Sequence, residues 1–250
     1  MTEPNFKIVI PARFSSTRFP GKPLALIDGV PMVVRVYQRV VETSASEIIV
    51  ATDDQRIANA CGEYNAPVCL TSPDVPTGTD RVAEVCEKMG WDDDDVIVNV
   101  QGDEPLIPLS SVVQVARNLQ QNPDAAIATL CTPISSSQEL LDPNNVKVVF
   151  DHRGMALYFS IAPIPFDRDT SNDLSQSFRH LGLYAYRASF LGRYSSLQAC
   201  VIEELEKLEQ LRALWNGERI HVDVATELPG PGVDTPEQLA EVEALIAKSG

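Results

Sequence analysis

The sequence predicts an α/β protein built on a mostly parallel, doubly wound sheet. In the first half of the chain, apolar runs of strand length alternate with longer segments of helical periodicity. Such alternation is typical of parallel strands joined by right-handed helical crossovers. The runs IIVA and IVNV are apolar without clean alternation, as expected for parallel strands covered on both faces. A chain of 250 residues is long enough to bury a sizeable core of this kind.

The elements can be assigned in chain order from these patterns. Strands are predicted at Phe6–Pro11, Glu47–Ala51, Pro67–Leu70, Val96–Val100, Ala125–Cys131, Val146–Phe150, His180–Tyr186 and Ile220–Ala225. Helices are predicted at Pro31–Thr43, Asp54–Tyr64, Asp80–Met89, Ser110–Gln121, Ala188–Tyr194, Cys200–Trp215 and Thr235–Lys248. Pro31 suits a first helical position, and Asp234-Thr-Pro-Glu237 resembles a capped helix start.

The middle of the chain has a different composition. From about Pro133 to Ser177 it is rich in polar and turn residues, with the runs PISSS, DPNN and DRDTSNDLSQS. We interpret residues 133–187 as a region inserted into one domain that spans residues 1–250. Such a region can cover a binding site or supply a subunit interface. No internal repeat and no long low-complexity linker divides the sequence further.

Composition excludes several classes of function. A formal net charge of −15 argues against a general nucleic-acid or anionic-membrane binder, because both need a broad basic surface. The five cysteines are scattered and odd in number, which favours reduced thiols over a disulfide framework or a zinc site. The start of the sequence lacks the pattern of a signal peptide, and no apolar run approaches the ~18 residues of a membrane span. We therefore expect a cytoplasmic protein.

The loop after the first predicted strand gathers positive charge in an acidic chain. The stretch IPARFSSTRFPGKPL contains Arg13, Arg18 and Lys22 and no acid. In open α/β sheets, ligands bind outside the carboxyl ends of the strands, which is where this loop begins. The loop is not a Walker motif, and the chain has no GxGxxG, so a dinucleotide is not expected. Cations in a loop can be solvated surface charge, but the position and the rigid PGKP segment favour a triphosphate or a similar polyanion.

Two aspartates follow other predicted strands. Asp103 lies in QGDEP after the strand at Val96–Val100, and Asp234 follows the last strand in PGPGVDTP. Mg²⁺ commonly takes one or two carboxylates together with phosphate oxygens, so the pair predicts a Mg²⁺ site. Glu104 is a competing ligand, and a helix N-cap is the alternative role of Asp234. The acidic run Asp92–Asp95 is interpreted as a solvated turn.

These motifs resemble those of the 3-deoxy-manno-octulosonate (KDO) cytidylyltransferases, also called CMP-KDO synthetases. The resemblance rests on IPARFSSTRFPGKPL, VATDDQRI, TGTDR, VNVQGDEPLIP, HLGLYAYR, LEQLRALWNG and GVDTPEQL, which run in family order from Ile8 to Leu239. It implies a Rossmann-like nucleotidyltransferase domain that forms a homodimer and requires Mg²⁺. The implied reaction joins CTP and KDO into CMP-KDO and pyrophosphate, activating the sugar for lipopolysaccharide synthesis.

The resemblance also implies roles for individual residues. The catalytic residues would be Arg13, Arg18, Lys22 and Asp103. The nucleotide would be held by Pro11, Ala12, Arg13, Lys22, Thr79, Arg81 and Gln101. The sugar acid would contact Gln101, His180, Tyr184, Glu209 and Gln210, and Asp103 with Asp234 would hold Mg²⁺. Without the resemblance, His180 and Tyr184 read as structural residues, and Glu209 and Gln210 as the solvent face of an amphipathic helix.

One position departs from the family pattern. The family usually has arginine after the FS of LYFSIAPIPFDRD, where it would bind the carboxylate of the sugar acid, whereas this chain has Ile161. Arg168, Arg179, or Mg²⁺ together with His180 are alternative partners for that carboxylate. A second possibility is a different 2-keto-3-deoxy acid, such as amino-KDO or a nonulosonate. A third is a non-catalytic nucleotide-binding regulator.

Overall fold

The strands predicted in the first half of the chain lie side by side in one sheet. The computed structural model describes residues 4–15, 19–75, 77–169 and 173–249, without the side chains of residues 248 and 249. The strands are β1 Lys7–Ala12, β2 Leu26–Ile27, β3 Val30–Pro31, β4 Glu47–Thr52, β5 Val68–Leu70, β6 Val96–Asn99, β7 Ile127–Pro133, β8 Lys147–Phe150, β9 Ala156–Ser160, β10 Phe178–Arg187 and β11 Ile220–Val224. The helices are α1 Met32–Val40, α2 Gln55–Glu63, α3 Gly78–Met89, α4 Leu109–Gln121, α5 Ser137–Leu141, α6 Ala188–Tyr194, α7 Val201–Glu206, α8 Gln210–Trp215 and α9 Pro236–Ser249.

The central sheet has the order β11-β7-β10-β6-β1-β4-β5. β1 pairs in parallel with both β4 and β6, and β11 pairs in parallel with β7. The long strand β10 is antiparallel to both of its neighbours, β6 and β7. The prediction of a mostly parallel α/β sheet is therefore confirmed. The loops that follow β1 and β6 meet at one edge because those two strands are parallel neighbours.

Both faces of the sheet are covered by helices. Within β1, Ile8 and Ile10 belong to one core cluster, whereas Val9 between them belongs to the cluster on the opposite face. All three side chains are fully buried. This arrangement explains why the parallel strands read as continuous apolar runs instead of alternating with polar residues.

The polar middle region extends the sheet on one side. Strands β8 and β9 form an antiparallel hairpin, and β8 pairs with the start of β10 at Phe178 and Arg179. Neither β9 nor the short helix α5 was predicted from the sequence. The polar and turn-rich composition of the region concealed them. The interpretation of this region as an insertion into a single domain stays a prediction.

One predicted helix was wrong. The amphipathic segment Cys200–Trp215 forms two helices, α7 and α8, because Lys207 adopts a left-handed conformation with φ 58°. The amide N–H groups of Lys207 and Leu208 both donate to the Glu203 carbonyl and close the end of α7. The break changes the direction of the chain just before Glu209 and Gln210.

Two helix starts also differ in detail from the predictions. Pro31 precedes α1 as its N-cap residue and is not its first helical residue. At α9, Thr235 Oγ1 accepts from the Gln238 amide, and Gln238 Oε1 accepts from the Thr235 amide. This reciprocal pair is a capping box, so the helix does not depend on the Asp234 side chain as a cap. Within the described ranges, no helix is both long and apolar enough to span a bilayer.

Candidate active site

The loop after β1 is held in a fixed shape by a glycine and by backbone hydrogen bonds. Gly21 has φ 72°, a left-handed conformation that glycine adopts without strain, and its amide donates to the Phe14 carbonyl. A short 3-10 turn at Lys22–Leu24 follows, with Pro23 buried within it. The Lys22 side chain is therefore anchored close to its backbone and directed toward the edge of the sheet.

The loop after β6 approaches the first loop very closely. A Cβ atom on Gly102 would lie 2.8 Å from the Pro11 carbonyl oxygen, so this contact requires glycine. The neighbouring residue Asp103 is thereby brought to Lys22, and its Oδ2 atom lies 2.5 Å from Lys22 Nζ. The loop after β6 therefore places the carboxylate of Asp103 beside the loop after β1.

Asp234 reaches the same lysine from the other end of the chain. The Val233 amide donates to the Asp103 carbonyl at 2.9 Å, and the Val233 side chain is buried. This contact brings Asp234 Oδ1 to 3.0 Å from Lys22 Nζ. Burial acts to lower the pKa of Lys22, but the charges and hydrogen bonds of the two aspartates raise it above its usual value. Lys22 therefore carries its positive charge between two carboxylates.

Other predicted nucleotide contacts occupy different environments. Arg13 donates to the Val75 carbonyl at 2.8 Å, and it lines the cavity beside Lys22. Arg81 is fully buried, where it donates to Thr71 and lies 3.4 Å from Asp53. Arg81 lines neither of the two cavities described below, so its position suits support of the surrounding loops. Arg18 lies outside the described residues.

Two adjoining cavities meet at this edge of the sheet. The loop cavity, of about 490 Å³, is lined by Pro11, Ala12, Arg13, Lys22 and Thr77 among others. The inner cavity, of about 570 Å³, extends toward β10 and α8. Five residues line both cavities: Gly78, Gln101, Asp103, Glu209 and Asp234. The shared wall makes the two cavities parts of one cleft that can hold two ligands in contact.

Four of the five predicted sugar contacts line the inner cavity: Gln101, Tyr184, Glu209 and Gln210. Tyr184 stands opposite Asn99 in the antiparallel pairing of β10 with β6. Glu209 lies between α7 and α8, and its Oε2 accepts a hydrogen bond from Thr79 Oγ1 at 2.9 Å. Thr79, predicted as a nucleotide contact, thus lines the inner cavity and not the loop cavity, and its contact with the nucleotide stays a prediction.

His180 does not line either cavity. Its Nε2 lies 2.9 Å from Thr129 Oγ1, and its ring lies edge-on to Phe159 and 5.3 Å from the Tyr184 ring. Burial lowers the pKa of His180 to about 3, so the ring is neutral near pH 7. The predicted sugar contact of His180 stays a prediction. His180 packs against Tyr184, which itself lines the inner cavity.

Sequence reasoning missed several residues of the inner cavity. Asn99, Tyr186 and Tyr194 line it, and Asn99 Oδ1 and Tyr194 Oη are buried without a protein hydrogen-bond partner. Two of these residues carried a signal, because strand side chains alternate. Asn99 is two residues before Gln101, and Tyr186 is two residues after Tyr184. Tyr194 lies at the end of a short helix and offered no such pattern.

The carboxylates of the cleft differ in their readiness to hold a cation. Burial, reinforced by the charge of Asp103, raises the pKa of Glu104 to about 7. A carboxyl group that keeps its proton near neutral pH is a poorer cation ligand than its ionised neighbour. Asp103, whose Oδ2 atom faces the ammonium group of Lys22, is therefore the better candidate for a metal ligand.

The arrangement fits a Mg²⁺ ion that arrives with a phosphate ligand. No cluster of three or more His, Cys, Asp or Glu side chains occurs in the part of the chain that the structure describes. Two carboxylates do converge, since Asp103 and Asp234 approach one ammonium group. One or two carboxylates plus phosphate oxygens and water is the usual Mg²⁺ environment beside nucleotides. Mg²⁺ itself stays a prediction.

Comparisons with known proteins agree with this geometry. The chain matches the family model described as "Cytidylyltransferase" over residues 7–220. A solved structure of a CMP:2-keto-3-deoxy-manno-octonic acid synthetase complexed with CTP is similar, with a TM-score of 0.91 and 40% identity, over 99% of this chain and 100% of that one. A 4-diphosphocytidyl-2C-methyl-D-erythritol synthase shares the fold alone, with a TM-score of 0.63 and 14% identity over 98% of this chain and 99% of that one. Fold and site thus define a cytidylyltransferase.

Curated relatives specify the family within that class. The 3-deoxy-manno-octulosonate cytidylyltransferase of Alkalilimnicola ehrlichii is 54% identical, over 100% of this chain and 99% of its own length. The protein of the same name from Halorhodospira halophila is 53% identical over 97% of each chain. The chain belongs to the 3-deoxy-manno-octulosonate cytidylyltransferase family, which confirms the resemblance found in its motifs.

Proposed function

We propose that this protein transfers CMP from CTP to KDO and releases pyrophosphate. The observation that carries the proposal is the cleft itself, in which the Lys22 site and a polar inner cavity share one wall. The chain is 54% identical to a relative named for this activity. The product, an activated sugar, would serve lipopolysaccharide synthesis.

The loop cavity suits the triphosphate of CTP. Lys22 and Arg13 would neutralise phosphate oxygens there, with the backbone of Pro11 and Ala12 beside the nucleotide. The sugar hydroxyl would attack the α-phosphorus in line, and pyrophosphate would leave on the opposite side. Catalysis of this kind depends on positioning and charge stabilisation, so it requires no covalent intermediate on the enzyme.

Mg²⁺ fits the same site. When bound, it would offset charge on the phosphate oxygens and reduce the repulsion between them and the carboxylates of Asp103 and Asp234. Without a divalent cation, the two carboxylates face Lys22 alone, and a triphosphate of about −4 charge would meet two negative groups. The two carboxylates of the site are therefore the observation that supports a requirement of this protein for Mg²⁺.

The inner cavity suits a ligand rich in hydroxyl groups. Asn99 Oδ1 and Tyr194 Oη are buried polar atoms without protein partners, and such atoms are costly unless a ligand or water satisfies them. Glu209 and Gln210 add an acceptor and an amide on the facing wall. Gln101 lies on the wall common to both cavities, where it can contact the sugar and the nucleotide.

A pyrophosphate-release assay with CTP, Mg²⁺ and a panel of sugar acids tests this function. We expect turnover with KDO by the native chain, run beside Ile161→Arg. Turnover only with amino-KDO or a nonulosonate would show that the acceptor is a different sugar acid and that the reaction is still cytidylyl transfer. Release from no acid, with CTP binding intact and no recovery in Ile161→Arg, would support a non-catalytic nucleotide-binding regulator and overturn the proposal.

We also propose that the protein is a homodimer formed through β9 and α7. β9 pairs only with β8 among the described strands. Met155, directly before β9, bridges to His221 of β11, but Ala156–Ser160 themselves have no second strand partner and can accept a strand of a second chain. Leu157 on β9 is 64% exposed and Leu205 on α7 is 74% exposed. A light-scattering mass of about twice 27.4 kDa is expected. Leu157→Glu should lower the measured mass to that of the monomer. Leu228→Glu, at an exposed leucine in the loop between β11 and α9, should leave the mass unchanged.

We place the reaction in the cytoplasm. All five cysteines are buried free thiols, the state that a reducing compartment maintains. Fractionation of cells that express the tagged protein tests this location, and recovery in a periplasmic extract would contradict it.

A further inference from the structure

Lys207 occupies an unusual position at the inner cavity. It is the one lysine or arginine among the described residues that line this cavity. Asp103, Glu209 and Asp234 line the same space, so a negatively charged ligand would meet mainly like charge there. Among the described side chains that line the inner cavity, Lys207 is therefore the one that can offer a carboxylate a positive counter-charge.

The backbone of Lys207 has a conformation that favours glycine. Its φ of 58° and ψ of 40° lie in the left-handed region, at the position after a helix where glycine is usual. A residue with a side chain in this region carries backbone strain that the surrounding structure must offset, and such strained positions often occur at functional sites. The turn also fixes the four consecutive residues 207–210 along the cavity wall.

Lys207 is close in the fold to the position where the family pattern has arginine. The Ile161 amide donates to Glu206 Oε2 at 2.9 Å, and Glu206 is the neighbour of Lys207 in sequence. The Ile161 carbonyl accepts from the buried Lys147 ammonium at 2.6 Å, which fixes this backbone from the other side. The ends of β9 and α7 are thus held together through Glu206, the residue that precedes Lys207.

The other candidate partners for a carboxylate are poorly situated. Arg179 Nε lies 3.5 Å from Glu139 Oε1, and Arg168 is exposed; neither lines the inner cavity. His180 also lies outside the cavity lining, and because burial depresses its pKa it carries no positive charge near pH 7. Lys207 is the remaining candidate among these side chains.

We propose that the Lys207 ammonium binds the carboxylate of the sugar-acid acceptor and so supplies, from the turn after α7, the charge that Ile161 lacks. The inference rests on the proposed function, because the acceptor is a sugar acid. It assigns Lys207 as a residue that determines specificity for an acid over a neutral sugar. The bond-forming step is unchanged. Because the carboxylate is attached to the carbon that carries the reacting hydroxyl, Lys207 would also help to orient that hydroxyl.

The test uses Lys207→Gly, which removes the charge and retains a residue suited to the left-handed turn. In the full-length enzyme, we expect the KM for KDO to rise about 10- to 100-fold, the range for a lost hydrogen bond to a charged group. The KM for CTP should stay within about twofold. Lys207→Arg should retain most of the affinity for KDO. Lys88→Ala removes a lysine that pairs with Glu84 outside the cleft and should behave as the native enzyme does.

Binding measurements separate this inference from the proposed reaction. Calorimetric titration of KDO and of its neutral methyl ester into the enzyme should show that Lys207→Gly weakens binding of the acid but not of the ester. Equal KDO affinity in the native enzyme and Lys207→Gly would overturn the inference even if turnover is normal. Tight, Lys207-dependent binding without pyrophosphate release would support it while the proposed reaction fails. Absence of KDO binding to the native enzyme would overturn both.

Discussion

The Nζ atom of Lys22 lies 2.5 Å from Oδ2 of Asp103, a residue 81 positions further along the chain. The contact joins the loop after β1 to the loop after β6, and these loops meet because their strands are parallel neighbours. Asp234 adds a third point of contact from the loop before α9. A cation and two carboxylates from three distant segments therefore form one site whose geometry depends on the whole sheet.

Replacement of Lys22 by methionine should abolish most activity. The change retains the length of the side chain but removes the charge that we assign to the phosphates, so we expect kcat/KM for CTP to fall about 10²- to 10³-fold. The pyrophosphate-release assay measures this effect. Lys7→Met is the matched control. Lys7 lies at the opposite end of β1 from the loop that holds Lys22, and its ammonium lies 2.7 Å from Asp95 Oδ2. Equal effects of the two substitutions would contradict a special role for Lys22.

Asp234→Asn should change the metal requirement more than the fold. The amide keeps the shape but loses the charge that we assign to Mg²⁺ binding, so the Mg²⁺ concentration for half-maximal activity should rise about tenfold or more. The capping box of Thr235 and Gln238 is untouched, so the melting temperature should stay near that of the native protein. A native Mg²⁺ titration curve in Asp234→Asn would argue against this residue as a ligand.

The sheet and the charged end of the cleft could be predicted from sequence because their signals are local. Continuous apolar runs identified β1, β4 and β6, and parallel order alone brings the loops after β1 and β6 to one edge. Motif resemblance supplied the rest of the predicted site, including Glu209 and Gln210. The hydrogen bond between Thr79 and Glu209 joins residues 130 positions apart, and no local pattern encodes it.

The errors have a common physical origin in tertiary context. The segment Cys200–Trp215 has good helical periodicity throughout, yet the helix ends at Lys207, and the residues from Lys207 to Gln210 line the cavity. No glycine or proline marks the break in sequence. The edge strand β9 was missed because its sequence is short and shows no clear alternation of apolar and polar residues. Its pairing with β8, which the sequence does not show, stabilises it as a strand. Tertiary contacts overrode the local preference of the sequence in both places.

Thr79→Val should weaken the acceptor site and spare the nucleotide. The Thr79 hydroxyl donates to Glu209 Oε2 at 2.9 Å, so its loss leaves a carboxylate of the inner cavity with one partner fewer. We expect the KM for KDO to rise about 3- to 10-fold, the range for one neutral hydrogen bond. The KM for CTP should stay within about twofold. Thr43→Val removes a comparable hydroxyl contact to the Val40 carbonyl far from the cleft and serves as the control. A selective rise in the KM for CTP would instead assign Thr79 to the nucleotide.

His180 should make the fold less stable in mild acid. Burial lowers the pKa of the folded-state imidazole from its usual 6.5 to about 3, so below pH 6.5 the unfolded chain binds a proton that the native chain does not. Stability is therefore lost as the pH falls, with a slope approaching about 1.4 kcal/mol per pH unit.

The matched variant is His180→Gln, whose amide can still reach Thr129 Oγ1 but does not titrate. Between pH 6.5 and 5.5, the free energy of unfolding of the native protein should fall by about 1 kcal/mol more than that of the variant. Urea denaturation at the two pH values measures this difference, and carboxylates common to both proteins cancel from the comparison. Parallel pH dependence in the two proteins would show that the imidazole protonates in the folded state, and His180 would then become available as a charged partner for an acid substrate.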